Sequence, residues 1–426
     1  MVQPARLLYT LGLYALTPVV LARLWFKGRR QPEYRRRLAE RFGFTPRSDG
    51  AGEVVWVHAV SVGETLAATS LIEALRRDRP GARIVLTTMT PTGAEIARRR
   101  FGDGVEHRYV PYDLPGAVAR FLDRLRPRLL ILMETELWPN LLAAARARGL
   151  PVVLANGRLS APSARGYRLA AGLTREMLCG IHAIAAQTRD DADRFIALGA
   201  APERVIVTGN LKFDLALPDD LAGRGTTLRG MLGPVRPVWI AASTHEGEEG
   251  PVLAAHAEIR RRKPEALLVL VPRHSERAAR LMALCGEAGL RAVRRTAGSA
   301  CAPDTDVYMV DTLGELPAFY AAADVAFVGG SLVPVGGHNL LEPAAAGLPV
   351  LTGPQVFNFT EVSRLLHEAG AASIVTDSAA LAAAVVALLA DPGRRATMGE
   401  AGRRVVEANR GATGRVMALI GPFMTG

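Results

Sequence analysis

Cysteine is scarce in this chain: Cys179, Cys285 and Cys301 are the only three among 426 residues. Their spacing is neither paired nor metal-like, which argues against a disulfide scaffold or a zinc site and fits a reducing compartment. The chain also lacks any low-complexity tract, and 49% of its residues are hydrophobic, as in a soluble α/β enzyme. Its length allows two domains with full hydrophobic cores.

Acidic residues are outnumbered by basic ones, 41 to 52, so the formal net charge is +11. This balance predicts an anionic partner, which could be nucleic acid, a phosphorylated substrate or a membrane surface. The sequence lacks the basic stripes with interleaved aromatics that are typical of nucleic-acid binders. Positive charge is instead concentrated near the amino terminus. We therefore expect no nucleic-acid partner.

The amino-terminal segment 7–22 has no charged residue and is followed by a basic cluster around Arg23, Lys27 and Arg29. About 20 apolar residues are needed to cross a bilayer, so this segment is marginal as a span. It lacks the small-residue cleavage site of a signal peptide. We predict an uncleaved membrane anchor over residues 1–30, either spanning or lying in the interface with Trp25 at the headgroups and the cations on the cytoplasmic side. A buried helix of the domain is the alternative.

From residue 53 onward, short apolar runs alternate with segments of helical length and period. This pattern is typical of a parallel sheet built from βαβ units. The predicted strands are Val54–His58, Arg83–Thr87, Leu129–Met133, Val152–Ala155, Ala183–Ala186, Val205–Thr208, Val238–Ala242, Leu267–Val271, Val307–Val310, Val325–Val328 and Val350–Thr352. The fold class is therefore α/β, with two doubly wound Rossmann-like domains.

A stretch rich in Pro, Gly and Asp, without a sustained apolar period, separates the two series of strands. We predict a first domain over 31–214, an interdomain linker over 215–236 and a second domain over 237–410. The last segment, 411–426, could return to the first domain. Two such domains that face each other would form one cleft, where the chemistry is expected.

The first motif that carries chemistry joins a predicted strand to a helix, at Val60-Ser61-Val62-Gly63-Glu64-Thr65. Ligands of open α/β sheets bind beyond the carboxyl ends of the strands. A carboxylate at that point, Glu64, could act as a general base. It could equally stabilise the start of the helix through the helix dipole.

Two further motifs follow strands of the first domain. In METELWPN (133–140), Glu134 and Glu136 are two residues apart and could share a face. Their alternative role is a structural ion pair, for example with Arg158. In GNLKFD (209–214), Lys212 could neutralise a phosphate or carboxylate, or be an ordinary surface lysine.

The second domain has three candidate binding loops. Arg273 offers bidentate geometry for a phosphate, and the glycine-rich loop before Asn339 precedes a helix whose free N–H groups favour one. Glu342 could accept hydrogen bonds from a ribose diol. Together these features predict a nucleotide-sugar site. The histidines lack metal-ligand spacing and no acidic triplet is present, so we expect no metal and no cofactor.

Five motifs in order, VSVGET, METELWPN, GNLKFD, PRHSER and GGHNLLEPAA, resemble the bacterial 3-deoxy-D-manno-octulosonic acid (Kdo) transferases of lipid A biosynthesis. The resemblance covers nearly the whole chain, including the amino-terminal anchor. It implies a GT-B fold and inverting transfer of Kdo from CMP-Kdo to a lipid A precursor at the cytoplasmic face of the inner membrane. The alternative is a GT-B transferase or epimerase that uses a UDP-sugar.

The resemblance also implies roles for individual residues. Glu64 matches the catalytic base, and Glu134 and Lys212 match residues that stabilise the transition state. The segments that match the CMP-binding residues are Pro272 and Arg273; Leu313, Gly314 and Glu315; and Asn339, Leu340, Leu341 and Glu342. The motifs do not indicate how many Kdo residues are added.

Overall fold

The structure, a computed structural model, describes residues 4–48, 52–215 and 220–424. The chain divides into two compact units. Unit 1 comprises Met1–Asp214 and Asn409–Gly426, and unit 2 comprises Leu215–Ala408.

Unit 1 contains a seven-stranded sheet in which all neighbouring strands pair in parallel. Its order is β3-β2-β1-β4-β5-β6-β7. The strands are β1 Val54–His58, β2 Arg83–Thr88, β3 Glu106–Tyr109, β4 Leu129–Met133, β5 Val152–Gly157, β6 Ala183–Ala186 and β7 Val205–Val207. The helices are α1 Pro4–Arg30, α2 Val62–Ala67, α3 Thr69–Asp78, α4 Pro91–Phe101, α5 Pro115–Leu125, α6 Pro139–Ala147, α7 Ala161–Leu169, α8 Ala171–Cys179 and α9 Arg189–Ala197.

Unit 2 repeats this architecture, with all strand pairs parallel in the order β10-β11-β9-β8-β12-β13-β14. Its strands are β8 Val238–Thr244, β9 Leu267–Pro272, β10 Ala292–Arg294, β11 Val307–Met309, β12 Val325–Val328, β13 Val350–Thr352 and β14 Ala372–Ile374. Its helices are α10 Leu221–Leu232, α11 Glu249–Arg262, α12 Ala278–Glu287, α13 Leu316–Ala322, α14 Leu341–Ala345, α15 Thr360–Glu368, α16 Ser378–Ala390 and α17 Pro392–Ala408. The last helix of the chain, α18 Ala412–Ile420, belongs to unit 1.

Both faces of each sheet are buried, which explains the continuous apolar runs of the central strands. In β1, Trp56 packs into one core cluster with Phe121 of α5, while Val55 packs into the other with Leu71 of α3. Successive side chains of a strand point to opposite faces, so each strand supplies both clusters. The predicted α/β class with two Rossmann-like domains is confirmed.

Three strands were missed from the sequence, and all three lie at sheet edges: β3, β10 and β14. An edge strand is paired on one side only and does not need a continuous apolar run. In β3, which reads EHRY, the buried Arg108 bonds the Pro46 carbonyl oxygen and the Thr45 hydroxyl.

The predicted linker over 215–236 is wrong in its main part, because α10 occupies Leu221–Leu232 and packs against α13. Leu221, Leu228 and Leu232 contribute to one core cluster of unit 2. Gly225 lies on the same face, where a Cβ atom would be 2.6 Å from the Cβ of Ala321. Because a glycine occupies one of the contact positions, the apolar residues of α10 do not show a regular helical period in the sequence.

Within the described ranges, α1 is the helix that is long and apolar enough to cross a membrane, and none of its apolar window is buried. The alternative of a fully buried domain helix is therefore wrong.

Candidate active site

Glu64 lies in the first turn of helix α2, the helix that follows the carboxyl end of β1, and it is 7% exposed. Its Oε2 accepts a hydrogen bond from the Val60 N–H (2.8 Å) and its Oε1 from the Ser61 hydroxyl (2.8 Å). The Ser61 Oγ in turn accepts from the Glu64 N–H at 3.2 Å. Ser61 is thus the N-cap of α2, and the bonds differ from a capping box in that the Glu64 carboxylate accepts the N–H of Val60 and not that of Ser61. The helix-stabilising role of Glu64 is therefore real.

The electrostatics of Glu64 go beyond those of a cap. The pKa of its carboxyl is raised from 4.5 to about 7: burial and the charges of Glu136 and Glu134 raise it, and the hydrogen bonds from Ser61 and Val60 partly offset that rise. A carboxyl group that titrates near neutral pH suits general base catalysis.

Glu134 follows β4, the neighbour of β1 in the sheet. Its φ is 53°, a left-handed conformation that costs energy for a residue with a side chain. Its Oε1 lies 3.6 Å from the Nζ of Lys212. Arg158, the alternative ion-pair partner, instead contributes its carbonyl oxygen to the Thr135 hydroxyl. The ion pair that was the alternative role of Glu134 is therefore present, but its cation is Lys212 and not Arg158, which was the example given.

Lys212 lies in a short 3-10 turn, Leu211–Phe213, after β7. The turn is anchored by the buried side chains of Leu211 and Phe213. Its backbone is held by the Asn156 Oδ1, which accepts from the Leu211 N–H at 3.0 Å. Asp214 accepts from the Gly411 N–H at 2.6 Å, which ties the turn to the carboxyl-terminal segment. Asn156 was not predicted, and its φ of 55° is not readable from composition.

Glu136 belongs to the same group of acids. Its Oε2 accepts from the Trp138 indole N–H at 2.8 Å. Burial raises the pKa of its carboxyl, and the charge of Glu134 raises it too, while the bond from Trp138 lowers it. Unit 1 therefore gathers three acids and one lysine at the carboxyl edge of its sheet.

His58 is the last residue of strand β1. Its side chain is fully buried, with Nδ1 2.9 Å from the Thr87 hydroxyl. Burial lowers the pKa of its imidazole to about 3, so the ring is neutral.

In unit 2, the predicted CMP-binding residues lie at the ends of three strands, β11, β9 and β12, and β8 lies between the last two in the sheet. Arg273 directly follows β9, and its N–H donates to the Thr244 carbonyl oxygen at the end of β8 (3.0 Å). Glu315 forms a bidentate ion pair with Arg295, at 3.0 and 3.1 Å. Leu313, beside it, is 71% exposed.

Asn339 and Glu342 form a local pair at the start of α14. The Asn339 Nδ2 donates to the Glu342 Oε1 at 3.0 Å, and the Asn339 Oδ1 accepts from the Leu341 N–H at 3.0 Å. Leu340 and Leu341 are fully buried and act as anchors of this turn.

Glu248, which was missed from the sequence, holds the glycine-rich loop in place. It is fully buried, and its carboxylate accepts the backbone N–H groups of Gly330, Ser331 and Leu332 at 2.6, 2.9 and 2.8 Å. It also accepts the His245 N–H at 2.9 Å. One carboxylate thus fixes the glycine-rich loop to the loop after β8. In the sequence Glu248 stands between the acids Glu246 and Glu249, and nothing there indicates this role.

Two histidine side chains contact each other at the glycine-rich loop. The rings of His245 and His338 are stacked, with their Nε2 atoms 2.8 Å apart. The pKa of His338 is lowered to about 4, first by burial and then by the charge of Arg273. Among the residues that the structure describes, no group of three or more His, Cys, Asp or Glu side chains is arranged to hold a metal ion.

Comparison with known proteins agrees with this arrangement. Residues 243–405 match the family described as glycosyl transferases group 1. Residues 36–215 match 3-Deoxy-D-manno-octulosonic-acid transferase (kdotransferase). The UDP-GlcNAc 2-epimerase of Neisseria meningitidis shares the fold at a TM-score of 0.58 and 14% identity, over 87% of this chain and 100% of that chain. The fold and the family matches define a glycosyltransferase of the GT-B class.

Full-length relatives identify the family. The 3-deoxy-D-manno-octulosonic acid transferase of Haemophilus influenzae is 41% identical over 98% of this chain and 99% of its own length. That of Bordetella pertussis is 42% identical over 96% of this chain and 97% of its own. The chain belongs to the Kdo transferase family, as the sequence motifs predicted.

Proposed function

We propose that this protein transfers Kdo from CMP-Kdo to a hydroxyl of a lipid A precursor, with inversion at the anomeric carbon. The observation that carries the mechanism is the buried carboxyl of Glu64, whose pKa is raised to about 7. The relatives from Haemophilus influenzae and Bordetella pertussis carry the name of this transferase, which supports the choice of transferred sugar.

Glu64 is the base in this proposal. Its carboxylate takes the proton of the acceptor hydroxyl, the oxygen attacks the anomeric carbon of Kdo, and the bond to the CMP phosphate breaks with its electron pair on the phosphate. Attack on the face opposite to the phosphate inverts the centre. General base catalysis of this kind contributes typically 10²- to 10⁴-fold to a rate.

Lys212 balances negative charge in the proposed transition state. The donor carries a carboxylate and a phosphate, and charge develops on the phosphate as CMP leaves. A bare Glu134 would repel these groups. Its position 3.6 Å from the Lys212 Nζ supports a role in orienting the ammonium group instead.

Unit 2 is proposed to hold CMP. Arg273 would pair with the single phosphate, and the start of α14 would supply N–H groups through the Asn339–Glu342 turn. Glu315 would orient Arg295 beside the exposed Leu313. The proposed base and donor residues lie in different units, so both units take part.

We further propose that the protein acts at the cytoplasmic face of the inner membrane. Its acceptor is a phosphorylated glycolipid, and the cations around α1 suit anionic headgroups. Helix α1 is apolar and exposed, which supports a membrane-bound enzyme.

The test is mass spectrometry of a lipid A precursor after incubation with CMP-Kdo and the protein. We expect a mass gain of one or more Kdo residues, inhibited by CMP and not by UDP. Glu64→Gln is the matched negative control. Transfer from a UDP-sugar, or an unmodified precursor with the wild-type protein, would contradict the proposal.

A further inference from the structure

Helix α1 is attached to unit 1 near its amino terminus. The Arg6 Nη1 lies 3.1 Å from the Glu176 Oε1 of α8, and both side chains are less than a fifth exposed. The Thr10 hydroxyl donates to the Asn140 Oδ1 (3.1 Å) and accepts from its Nδ2 (3.0 Å). Tyr9, between them, packs against the core cluster. The first turns of α1 are therefore docked on α6 and α8.

The chain returns to the same unit directly after α1. The side chain of Arg35 packs over Gly28, so closely that a Cβ atom on Gly28 would be 2.3 Å from it. The Arg35 Nη2 donates to the Trp25 carbonyl oxygen at 2.8 Å. The Glu40 Oε2 then accepts from the Tyr109 N–H of β3 at 2.9 Å. The buried Arg41 follows immediately.

The chain is held by α5 just beyond this point. The Phe42 carbonyl oxygen accepts two hydrogen bonds from Arg120, at 2.9 and 3.0 Å. Both ends of α1 are thus bound to one folded unit.

This double attachment conflicts with a membrane span. A helix that crosses a bilayer has its ends on opposite sides of a hydrocarbon core about 30 Å thick, and needs about 20 apolar residues. Thr10 of α1 is bonded to Asn140, and Trp25 of the same helix is bonded to Arg35, which lies just before the segment that pairs with β3. Both attachments belong to the same folded unit, so neither end of α1 is left on the far side of a bilayer.

The exposed side of α1 is apolar and bordered by cations. Leu8, Val19 and Phe26 are 62–69% exposed, an unusual density of large apolar side chains on one helix. Arg23 and Lys27 are exposed on the same helix. Such a combination suits the headgroup and acyl boundary of an anionic bilayer.

We infer that α1 does not span the membrane but lies along its surface, docked on unit 1, with its exposed apolar side in the bilayer interface. This inference rests on the proposed membrane location and not on the proposed chemistry. Asn140, which is hydrogen-bonded to Thr10, lies four residues after Glu136. The lipid-bound helix would therefore fix the distance between the bilayer surface and the acids of the candidate site.

The test is the side from which each end of α1 can be labelled. Single cysteines, Ala5→Cys or Arg36→Cys, are placed in a full-length chain whose native cysteines are replaced by serine. An impermeant maleimide is applied to right-side-out and to inverted inner-membrane vesicles. We expect both positions to react only in inverted vesicles. Labelling of Ala5→Cys from the opposite side to Arg36→Cys, or protein that is absent from the membrane, would overturn the inference.

A second variant guards against misfolding of the serine background. The pair Thr10→Cys and Asn140→Cys should form a disulfide in native membranes, detected by a gel shift that reductant reverses. The matched control pair, Leu16→Cys and Asn140→Cys, should not. A docked helix predicts the first crosslink, and its absence in protein that still binds CMP would count against docking. If Kdo transfer is absent while the labelling pattern is as expected, the proposed function is contradicted and the inference about α1 is not.

Discussion

Lys212 and Glu134 lie with Nζ and Oε1 3.6 Å apart, although they follow strands β7 and β4, which are separated in the sheet by β5 and β6. The loops after these strands therefore converge on one point at the carboxyl edge. The charge of Glu134 also raises the pKa of Glu64. The ion pair and the proposed base are thus electrostatically linked.

Glu64→Gln should lower kcat by about 10²- to 10⁴-fold, because the amide cannot accept the proton of the acceptor hydroxyl. The variant should fold, since the amide oxygen can still accept the Val60 N–H. Transfer is measured by mass spectrometry and CMP binding by calorimetry, with the Kd for CMP unchanged. Ser61→Ala is the matched control, because it removes the cap without removing the base. Substantial activity of Glu64→Gln would refute the assignment.

The pH dependence follows from the raised pKa of Glu64. kcat/KM should rise with pH and level off above about 7, as the carboxyl loses its proton. Glu136→Gln should move this limb to lower pH, because it removes a charge that raises the pKa. Ser61→Ala should move it to higher pH, because it removes a bond that lowers the pKa. If the acid limb of the profile does not move in either variant, the limb reports the titration of a group other than Glu64.

The same pKa predicts a stability effect of known sign. The folded protein holds the Glu64 proton up to about 7, whereas the unfolded chain releases it near 4.5. The folded state therefore binds more protons in this window, and the contribution of Glu64 to the free energy of unfolding falls as pH rises through it. Urea unfolding at several pH values should show a smaller fall for Glu64→Gln than for the wild type. An equal fall would exclude Glu64 as the source.

Lys212→Met should lower kcat by about 10²-fold, as expected for loss of a charge that stabilises the transition state. It should also move the acid limb of the pH profile to higher pH, because Glu134 would lose its counter-charge beside Glu64. The chain has three lysines, Lys27, Lys212 and Lys263. Lys263→Met, at the end of α11, is the control and should leave both readouts unchanged. An unshifted profile in Lys212→Met would argue against the electrostatic link.

The core of the fold could be predicted from the sequence because buried parallel strands need continuous apolar runs. Strands β1, β4 and β6 have the predicted bounds. Edge strands escape this rule, as β3 shows. In the candidate site, Glu64 and Glu134 were selected because acids come after the buried strands β1 and β4, and Lys212 because it is the lysine of a motif that ends the first domain; their catalytic roles stay predictions. Glu248 was missed because its role depends on four backbone N–H groups that only the folded loops bring together.

Glu248→Gln tests that role directly. The amide has one acceptor oxygen instead of two, and its N–H₂ group would face backbone donors, so unsatisfied groups would be buried at a cost of about 1–3 kcal/mol. We expect a lower free energy of unfolding in urea and a Kd for CMP raised at least about 10-fold. Glu246→Gln is the control. That carboxylate is 70% exposed, so its substitution should leave stability and CMP binding unchanged. Unchanged CMP binding in Glu248→Gln would separate the glycine-rich loop from the donor site.

The misassigned linker offers a final pair of variants within α10. Gly225→Ala would place a methyl group 2.6 Å from the Cβ of Ala321, so α10 and α13 would have to separate. We expect the free energy of unfolding to fall by about 1–3 kcal/mol, as for overpacked cores. Gly223→Ala is the matched control: nothing lies within 4 Å of its Cβ position. Alanine there should stabilise the helix by up to about 1 kcal/mol. Both are measured by urea unfolding, and equal effects at the two glycines would mean that α10 is not packed against α13, as a true linker would not be.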